Sequence, residues 1–380
     1  MRTMKAMYRP AAADVPAAET RNYGIDLLRI LAMLYVVILH AVGPGGILDA
    51  AEAGSVQYKA AWFLETWTYC AVNIFALISG YVSYSDEERK TKWAGYVMLW
   101  LQVVVYGVAV TLVFNAFHPE LVTRAHLIRM FFPVTGGLYW YLNAYTGLFV
   151  VMPLLNAGLR KCSVQTAKKV FVAMFLVFSV YEGVVRRMAM SGGYSFAWVL
   201  ILYLMGAAIK KCDIGRELTA AQAWIGTAVL CLMAWFWRMY GPEFSIRGVW
   251  VGKDIWISYL SPMVLGPAVL HVIAFSKLKI GGGWRKLIAF AAPGSFAVYI
   301  LNCHWVIWAY MMTAKFAPLA ARPVQVMVFW VMVFSCTFVV LSILIDKVRI
   351  FLFDVFRVRR IVDSLVETAE RAVTAVAERL

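Results

Sequence analysis

Two ionisable side chains interrupt the first apolar segment of this 380-residue chain. Arg29 and His40 stand eleven residues apart in the run 27–42, which is otherwise almost wholly apolar. A charged side chain at the centre of a membrane helix costs at least roughly 2.5–3.5 kcal/mol, so such residues face a partner or a cavity. Eleven residues are close to three helical turns, so both side chains lie on one face of a helix, about 16 Å apart along its axis.

This spacing suits a ligand that carries phosphates at one end and a reactive group on a long arm. Arginine binds phosphate through its charge and its forked N–H groups, and histidine transfers protons near neutral pH. The pantetheine arm of coenzyme A reaches about 16–18 Å if it is treated as five extended residues. The spacing therefore predicts an acyl-CoA whose phosphates meet Arg29 and whose thioester meets His40. In the alternative interpretation, Asp26 and Arg29 form an interfacial ion pair, and His40 only packs or bonds a backbone carbonyl.

Two carboxylates extend this candidate site. Asp26 lies one turn before Arg29 on the same helix face, so we expect it to orient the guanidinium. Glu65 lies in the second apolar segment, in the same half of the membrane as His40. A carboxylate beside an imidazole fixes its tautomer, so we predict that Glu65 pairs with His40. His40 would then act as general base on an acceptor hydroxyl, or accept the acyl group transiently.

The composition requires lipid as the solvent for most of the chain. Hydrophobic residues make up 62% of it and charged residues 15%, whereas soluble domains are about half apolar and about a quarter charged. We predict an all-α polytopic membrane protein with about ten transmembrane helices. The predicted spans are 24–43, 61–84, 93–116, 138–157, 169–187, 191–209, 222–240, 254–276, 287–311 and 323–346.

The basic residues predict the orientation in the membrane. Loops and tails on the side of the two termini carry 25 Lys and Arg, and the opposite loops carry 10. Because such residues collect in the cytoplasm, we expect both termini there and the chain in the plasma or inner membrane. The net charge of +15 then reflects contact with anionic lipid headgroups rather than with nucleic acid.

Two tails, 1–22 and 347–380, flank a membrane domain that we place at 23–346. The first is rich in Ala and Pro and predicts a flexible cytoplasmic tail. In the second, apolar residues recur at steps of three and four among Arg and Glu, which predicts an amphipathic helix on the membrane surface or on cytoplasmic loops. Six scattered cysteines form no CxxC pair or metal-ligand cluster, so we expect no metal.

Four segments resemble the type-three acyltransferase family of integral membrane proteins. "IDLLRILAMLYVVILH" is similar to the family's opening helix, in which an arginine and a histidine have the spacing of Arg29 and His40. "NIFALISGYV" resembles its second-helix signature, "GLYWYLNAYTGLFVVMPLLN" a later aromatic segment that ends in proline, and "SFAVYILNCH" its late-helix signature. The segments are spread over most of the chain, so together they are more specific than any one motif.

The resemblance implies the same polytopic fold and transfer of an acyl group, often acetyl from acetyl-CoA, to a hydroxyl of a cell-surface or lipid-linked glycan. It also implies that Arg29 and His40 are the functional pair. The family's basic Arg-x-x-Arg motif is matched in part by Arg89 and Lys92, which we predict to bind CoA phosphates with Arg29. Where the family often has a late histidine, this chain has Asn302, and His304 follows two residues later.

Aromatic and polar residues of two of these segments are candidates for binding the acceptor. The aromatic run 139–141 has two open interpretations: a floor for a sugar ring, or an aromatic belt at the membrane interface. The candidate acceptor-binding residues are Tyr139, Trp140, Tyr141, Asn143, Tyr299, Asn302 and His304.

These observations predict a lipid-embedded acyltransferase that uses acetyl-CoA or another acyl-CoA and a glycan acceptor, alone or with an extracytoplasmic transferase partner. A proton-coupled small-molecule transporter is the alternative, because buried Asp, Glu, His and Arg also form substrate paths. The sequence shows no inverted repeat of the kind found in transporters, which counts against it. A sensor or scaffold with purely structural ion pairs is a third option.

Overall fold

A computed structural model describes residues 21–88 and 90–377 of the chain. Within these residues the regular structure is helical except for one hairpin, formed by strands β1 (Phe244–Ile246) and β2 (Val249–Val251). The predicted tail at 1–22 lies almost wholly outside the described residues. The helices are α1 (Tyr23–Val42), α2 (Ile47–Ala50), α3 (Val56–Thr68), α4 (Ala71–Ser83), α5 (Trp93–Phe117), α6 (Arg124–Arg129), α7 (Trp140–Lys161), α8 (Val164–Met174), α9 (Glu182–Val185), α10 (Phe196–Cys212), α11 (Ala220–Tyr240), α12 (Pro262–Ser276), α13 (Gly282–Ala291), α14 (Ser295–Asn302), α15 (Trp305–Ile307), α16 (Val324–Val355) and α17 (Val358–Ala377).

Helices of membrane-spanning length confirm an all-α membrane protein. Among the described residues, six helical segments are long and apolar enough to cross a membrane. A bent pair that runs from α13 to the segment after α15 makes a seventh if it forms one span. The other predicted spans, 169–187, 191–209 and 254–276, coincide with α8–α9, with the 17-residue α10 and with the 15-residue α12. The count of ten therefore stays a prediction.

Helix α1 lies at the centre of the bundle. Its N-cap is Asn22, whose Oδ1 accepts a hydrogen bond from the backbone N–H of Ile25 at 3.1 Å. Most of its side chains are buried, and it packs against α3, α4, α12, α14 and α16. A helix that is covered on all sides presents its polar groups to the protein interior, so α1 can carry an interior site.

Two glycines allow α4 and α10 to cross at backbone contact. A Cβ on Gly80 would lie 1.9 Å from the carbonyl oxygen of Tyr203. A Cβ on Gly206 would lie 1.9 Å from the carbonyl oxygen of Leu77. Small residues at such crossings let membrane helices associate through van der Waals contact. Because α4 also packs against α1, this crossing fixes one wall around α1.

Contacts between helix termini identify the two ends of the bundle. We call one of them the terminal end, because α1 begins there; α4, α10 and α12 end on the same side. At this end, Asn22 donates to the carbonyl of Ser276 at 2.8 Å. At the same end, Lys210 donates to the carbonyl of Tyr84 at 2.8 Å. At the far end, the loop after α1 accepts two backbone hydrogen bonds of 2.9 and 3.0 Å from the segment that precedes α16. This grouping agrees with the alternation of the predicted spans.

The C-terminal region consists of two helices. The 32-residue α16 is about 48 Å long, which exceeds the roughly 30 Å hydrocarbon core of a bilayer. It ends at Val355, beyond the boundary of 346 predicted for the membrane domain. α17 is the predicted C-terminal helix; of its apolar side chains Val362 is buried, whereas Leu365 and Val373 are exposed. It packs on α5 and α16, so its buried edge contacts the membrane domain.

Candidate functional site

A cavity of about 560 Å³ lies beside the far half of α1. Met33, Val36 and His40 line it from α1, and Glu65 lines it from α3. Ten aromatic side chains form most of the remaining wall. The α1 face that carries Arg29 and His40 therefore borders a cavity from Met33 to His40 rather than lipid.

The hydrogen bond of His40 determines which ring nitrogen is available. Nδ1 of His40 bonds Oδ1 of Asn302, which is fully buried. Because an amide oxygen only accepts, Nδ1 is the donor, and Nε2 of the neutral ring keeps its lone pair. The amide nitrogen of Asn302 faces Sδ of Met312 at 3.9 Å, so the reverse amide orientation would set an oxygen against the sulfur. Trp308 packs edge-on against His40, with ring centroids 4.8 Å apart.

A break between α14 and α15 positions Asn302. α14 ends at Asn302, α15 begins at Trp305, and the helical segments on the two sides are bent by 64°. A π-helical segment then runs from Trp308 to Met312 and supplies two neighbours of the His40–Asn302 pair. Broken helices and π-helical segments in membrane proteins occur at ligand sites, where the irregular backbone faces a cavity.

Glu65 lines the same cavity as His40, but the predicted bond between them is absent at Nδ1 of His40. Asn302 bonds that nitrogen instead. The side chain of Glu65 is buried, and its Oε2 has no hydrogen-bond partner among the described residues. Both carboxylate oxygens lie 3.7 Å from the position that a Cβ on Gly43 would take. The carboxylate therefore lies beside the C-terminal end of α1, about one turn beyond His40.

Arg29 lies at the opposite end of the same α1 face. Asp26 accepts hydrogen bonds from Nη1 of Arg29 at 3.1 Å and from Nε of Arg21 at 2.6 Å, so the expected ion pair is present. The Arg29 side chain is 29% exposed, and its bond to Asp26 engages one of the five N–H groups of a guanidinium. Tyr145 on α7 is close enough for its hydroxyl to interact with the charge of Arg29. Met33, one turn further along α1, already lines the cavity.

The candidate acceptor-binding residues divide between the cavity wall and its surroundings. Trp140, Tyr141 and Tyr299 line the cavity. Tyr139 lies behind that wall, packs against Tyr299 at 5.8 Å and donates its hydroxyl to a backbone carbonyl of α14 at 3.1 Å. His304, in the helix break, is fully buried and is not part of the cavity wall.

Two further candidates, Asn143 and Lys92, lie away from the cavity wall. Asn143 is half-buried on α7, and its Oδ1 is buried without a hydrogen-bond partner in the described part of the chain. Lys92 is exposed at the start of α5. Arg89 lies outside the described residues. Their roles in binding stay predictions.

Three tyrosines of the cavity wall were not predicted from the sequence. Tyr69 lies where α3 meets α4. Tyr194 comes directly before Ser195, the N-cap of α10, and Tyr259 comes two residues before Ser261, the N-cap of α12. For Tyr194 and Tyr259 the signal is an aromatic residue one or two positions before the N-cap of a helix that begins at the far end. This signal can be used only when the membrane side on which each helix begins is known, and it does not apply to Tyr69, the C-cap of α3.

Comparisons with known proteins agree with this geometry. A family model described as an acyltransferase domain matches residues 22–346 of the chain. The matched range begins at the N-cap of α1 and includes every element that lines the cavity. No curated protein and no solved structure matches the chain.

Proposed function

This chain belongs to the type-three acyltransferase family, and we propose that it transfers an acyl group, with acetyl as the favoured one, from cytoplasmic acyl-CoA to a hydroxyl of a cell-surface or lipid-linked glycan. The observation that carries this proposal is the α1 face, on which Arg29 precedes a cavity and His40 lies inside it. The family membership favours an enzyme over the proton-coupled transporter that intramembrane charges alone would also allow.

The donor enters from the terminal end, which we assign to the cytoplasm because the loops and tails at that end carry most of the Lys and Arg. There the partly exposed Arg29 binds phosphate, and Asp26 orients its guanidinium. The pantetheine arm then lies along Met33 and Val36 and brings the thioester to His40. Because α1 rises about 1.5 Å per residue, the arm and the helix face match in length.

His40 acts as the general base of the transfer. Its Nε2 takes the proton of the acceptor hydroxyl while the oxygen attacks the thioester carbonyl. The C–O bond forms, the C–S bond breaks, and the imidazolium returns the proton to the coenzyme A thiolate. Asn302 Oδ1 accepts the hydrogen bond from Nδ1–H throughout and keeps the ring in the productive tautomer. The aromatic wall limits access of water, which would otherwise hydrolyse the thioester.

The acceptor enters from the far end, where the aromatic wall of the cavity lies. Trp140 and Tyr141 at the start of α7 offer ring faces on which a sugar can pack. This arrangement suits a multi-pass protein of the plasma or inner membrane that works alone or with an extracytoplasmic transferase.

Labelled acetyl-CoA tests the proposal with purified protein. We expect His40→Gln to lower kcat by roughly 10²–10⁴-fold, the usual contribution of a general base, with little change in KM. Arg29→Ala is expected to raise KM for acetyl-CoA about tenfold or more, because it removes a charged phosphate contact, but to leave KM for acetyl-pantetheine unchanged.

His118→Gln is the matched control, because His118 lies in a far-end loop outside the cavity wall. It should keep full activity. Full activity of His40→Gln would contradict the assignment of the general base. An Arg29→Ala defect that is the same for acetyl-CoA and acetyl-pantetheine would contradict the phosphate contact.

A further inference from the structure

Glu65 is a buried carboxylate without a protein counter-ion. It is 8% exposed, and none of the ion pairs in the described part of the chain includes it. Its Oε2 also has no hydrogen-bond partner there. A buried carboxyl without a partner either holds a proton or pairs with a cation, and a carboxyl that lines a cavity can take that cation from a ligand.

Four aromatic rings stand together in the same cavity, and we call them the aromatic cage: Tyr69, Trp140, Tyr194 and Tyr259. Ring centroids are 4.8 Å apart for Trp140 and Tyr194, and 5.0 Å apart for Tyr194 and Tyr259. Tyr69 and Tyr259 are also 5.0 Å apart, with their planes inclined by 42°. Rings at these distances contact one another, so a cation would lie in the cavity against the cluster rather than between two rings. An ammonium group within about 6 Å of such ring faces is attracted to them.

The cage and the carboxylate belong to one site. Glu65 lines the same cavity as Tyr69 and Tyr259. Its carboxylate also lies beside Gly43, at the C-terminal end of α1, where the helix dipole adds partial negative charge. Three sources of negative potential therefore meet at one place: the ring faces, the carboxylate and the helix end.

We propose that the aromatic cage and Glu65 bind a cationic amine on the acyl acceptor, whose hydroxyl is thereby presented to His40. The acceptor is thus an amino sugar or another amino alcohol rather than a neutral sugar. This inference rests on the proposed function, because it assigns the acceptor of the same site. A neutral sugar could pack on the rings, but it would supply no cation, and Glu65 would then stay protonated.

The amine is the recognised group and the hydroxyl is the acylated one. A protonated amine has no lone pair, so it does not attack the thioester while Glu65 and the cage hold it. Glu65 and His40 lie on different helices of the same cavity, so one small acceptor can contact both.

Matched pairs of ligands, each with a cationic and a neutral member, test this proposal. Glucosamine is compared with glucose, and choline with 3,3-dimethylbutan-1-ol, which has the same shape and hydroxyl without the charge. Equilibrium binding to the full-length protein is measured first, followed by acyl transfer from labelled acetyl-CoA. We expect the cationic member of each pair to bind about tenfold more tightly or better.

Two variants and a control locate the effect. Glu65→Gln keeps the shape of the side chain and should abolish most of the preference for the cation. Tyr194→Leu should weaken it, and because Tyr194 is 51% exposed, the fold should tolerate the change. Glu52→Gln, at an exposed carboxylate of the far-end loop before α3, should behave as the wild type.

Equal binding of the charged and neutral members would overturn the proposal, and so would a preference that survives in Glu65→Gln. Acylation on nitrogen instead of oxygen would also overturn it. The binding measurement needs no turnover, so it decides this inference even if acyl transfer is not seen. Conversely, transfer to a neutral hydroxyl without any cation preference would support the acyltransferase and refute the amine site.

Discussion

The tautomer of His40 is fixed by a residue 262 positions away in the chain. Asn302 accepts the hydrogen bond from Nδ1–H, as a carboxylate does in many catalytic triads. An amide performs this task without adding a buried charge, which would be costly between membrane helices. Asn302 therefore acts through His40, as a positioning residue.

Substitutions of Asn302 should separate the tautomer effect from packing. Asn302→Leu is expected to lower kcat about tenfold or more without changing KM for acetyl-CoA, because Nδ1 loses its acceptor. Asn302→Asp should stay active, but the low-pH limb of its kcat profile should move to higher pH, because a carboxylate stabilises the protonated imidazole. Rate profiles from pH 5 to 9 for both variants make the measurement.

Asn156→Leu is the control for that experiment. Asn156 also bonds a side chain of another helix, the hydroxyl of Tyr203 at 2.9 Å, but it lies outside the cavity wall. Its kcat and its pH profile should match the wild type. If Asn302→Asp titrates like the wild type, the two side chains are not coupled, and the positioning role is wrong.

Among the helices, α1 is the element that sets distance. A helix of 20 residues has a fixed rise, so the separation of Arg29 and His40 does not depend on loop conformation. Its position depends instead on the helices that cover it, and α4 is held by its crossing with α10.

A methyl group at that crossing should therefore destabilise the protein. We expect Gly206→Ala to lower the free energy of unfolding by roughly 1–3 kcal/mol, because the added Cβ overlaps the backbone of Leu77. Thermal unfolding in detergent measures the change. Gly158→Ala, at an exposed glycine of α7 with open space around it, should be neutral or slightly stabilising. Equal melting temperatures of the two variants would show that the crossing is not tight.

Across the whole molecule, the features predicted from sequence are those that depend on periodicity and composition. The shared face of Arg29, Met33 and His40 follows from helical geometry, and the apolar helices follow from hydropathy. The cavity partners were not predictable in this way. Asn302 meets His40, and Tyr259 meets Tyr69, through contacts between distant helices, and a single sequence contains no signal for such pairs.

A buried network of charged residues is a second case in which the sequence gives no signal for contacts between helices. Asp346 marks the end of the last predicted span, which suggests an interfacial position. In the structure it is fully buried and accepts hydrogen bonds from Gln102 at 3.0 Å and from Tyr106 at 2.9 Å on α5. Arg349 donates to both carboxylate oxygens of Asp346, at 2.7 and 3.0 Å. The network joins α5 to α16 and became visible only with the helix packing.

The two ends of the molecule carry different functional residues, so we predict that donor and acceptor enter from opposite sides of the membrane. The partly exposed Arg29 lies at the terminal end, whereas His40, Glu65 and the aromatic cage line the cavity toward the far end. Acetyl-CoA is highly charged and does not cross a bilayer, so it should react only from the side of the termini.

Proteoliposomes with a protease-cleavable tag on the N-terminus test this sidedness. With acetyl-CoA outside and a hydroxyl acceptor trapped in the lumen, we expect product only from molecules whose tag is accessible from outside. Detergent should then make the molecules of the opposite orientation active and raise the rate in proportion to their number, because both substrates can reach every molecule once the vesicles are open. A rate that is independent of orientation in sealed vesicles would mean that donor and acceptor reach His40 from the same side. In that case Arg29 could not mark the donor opening.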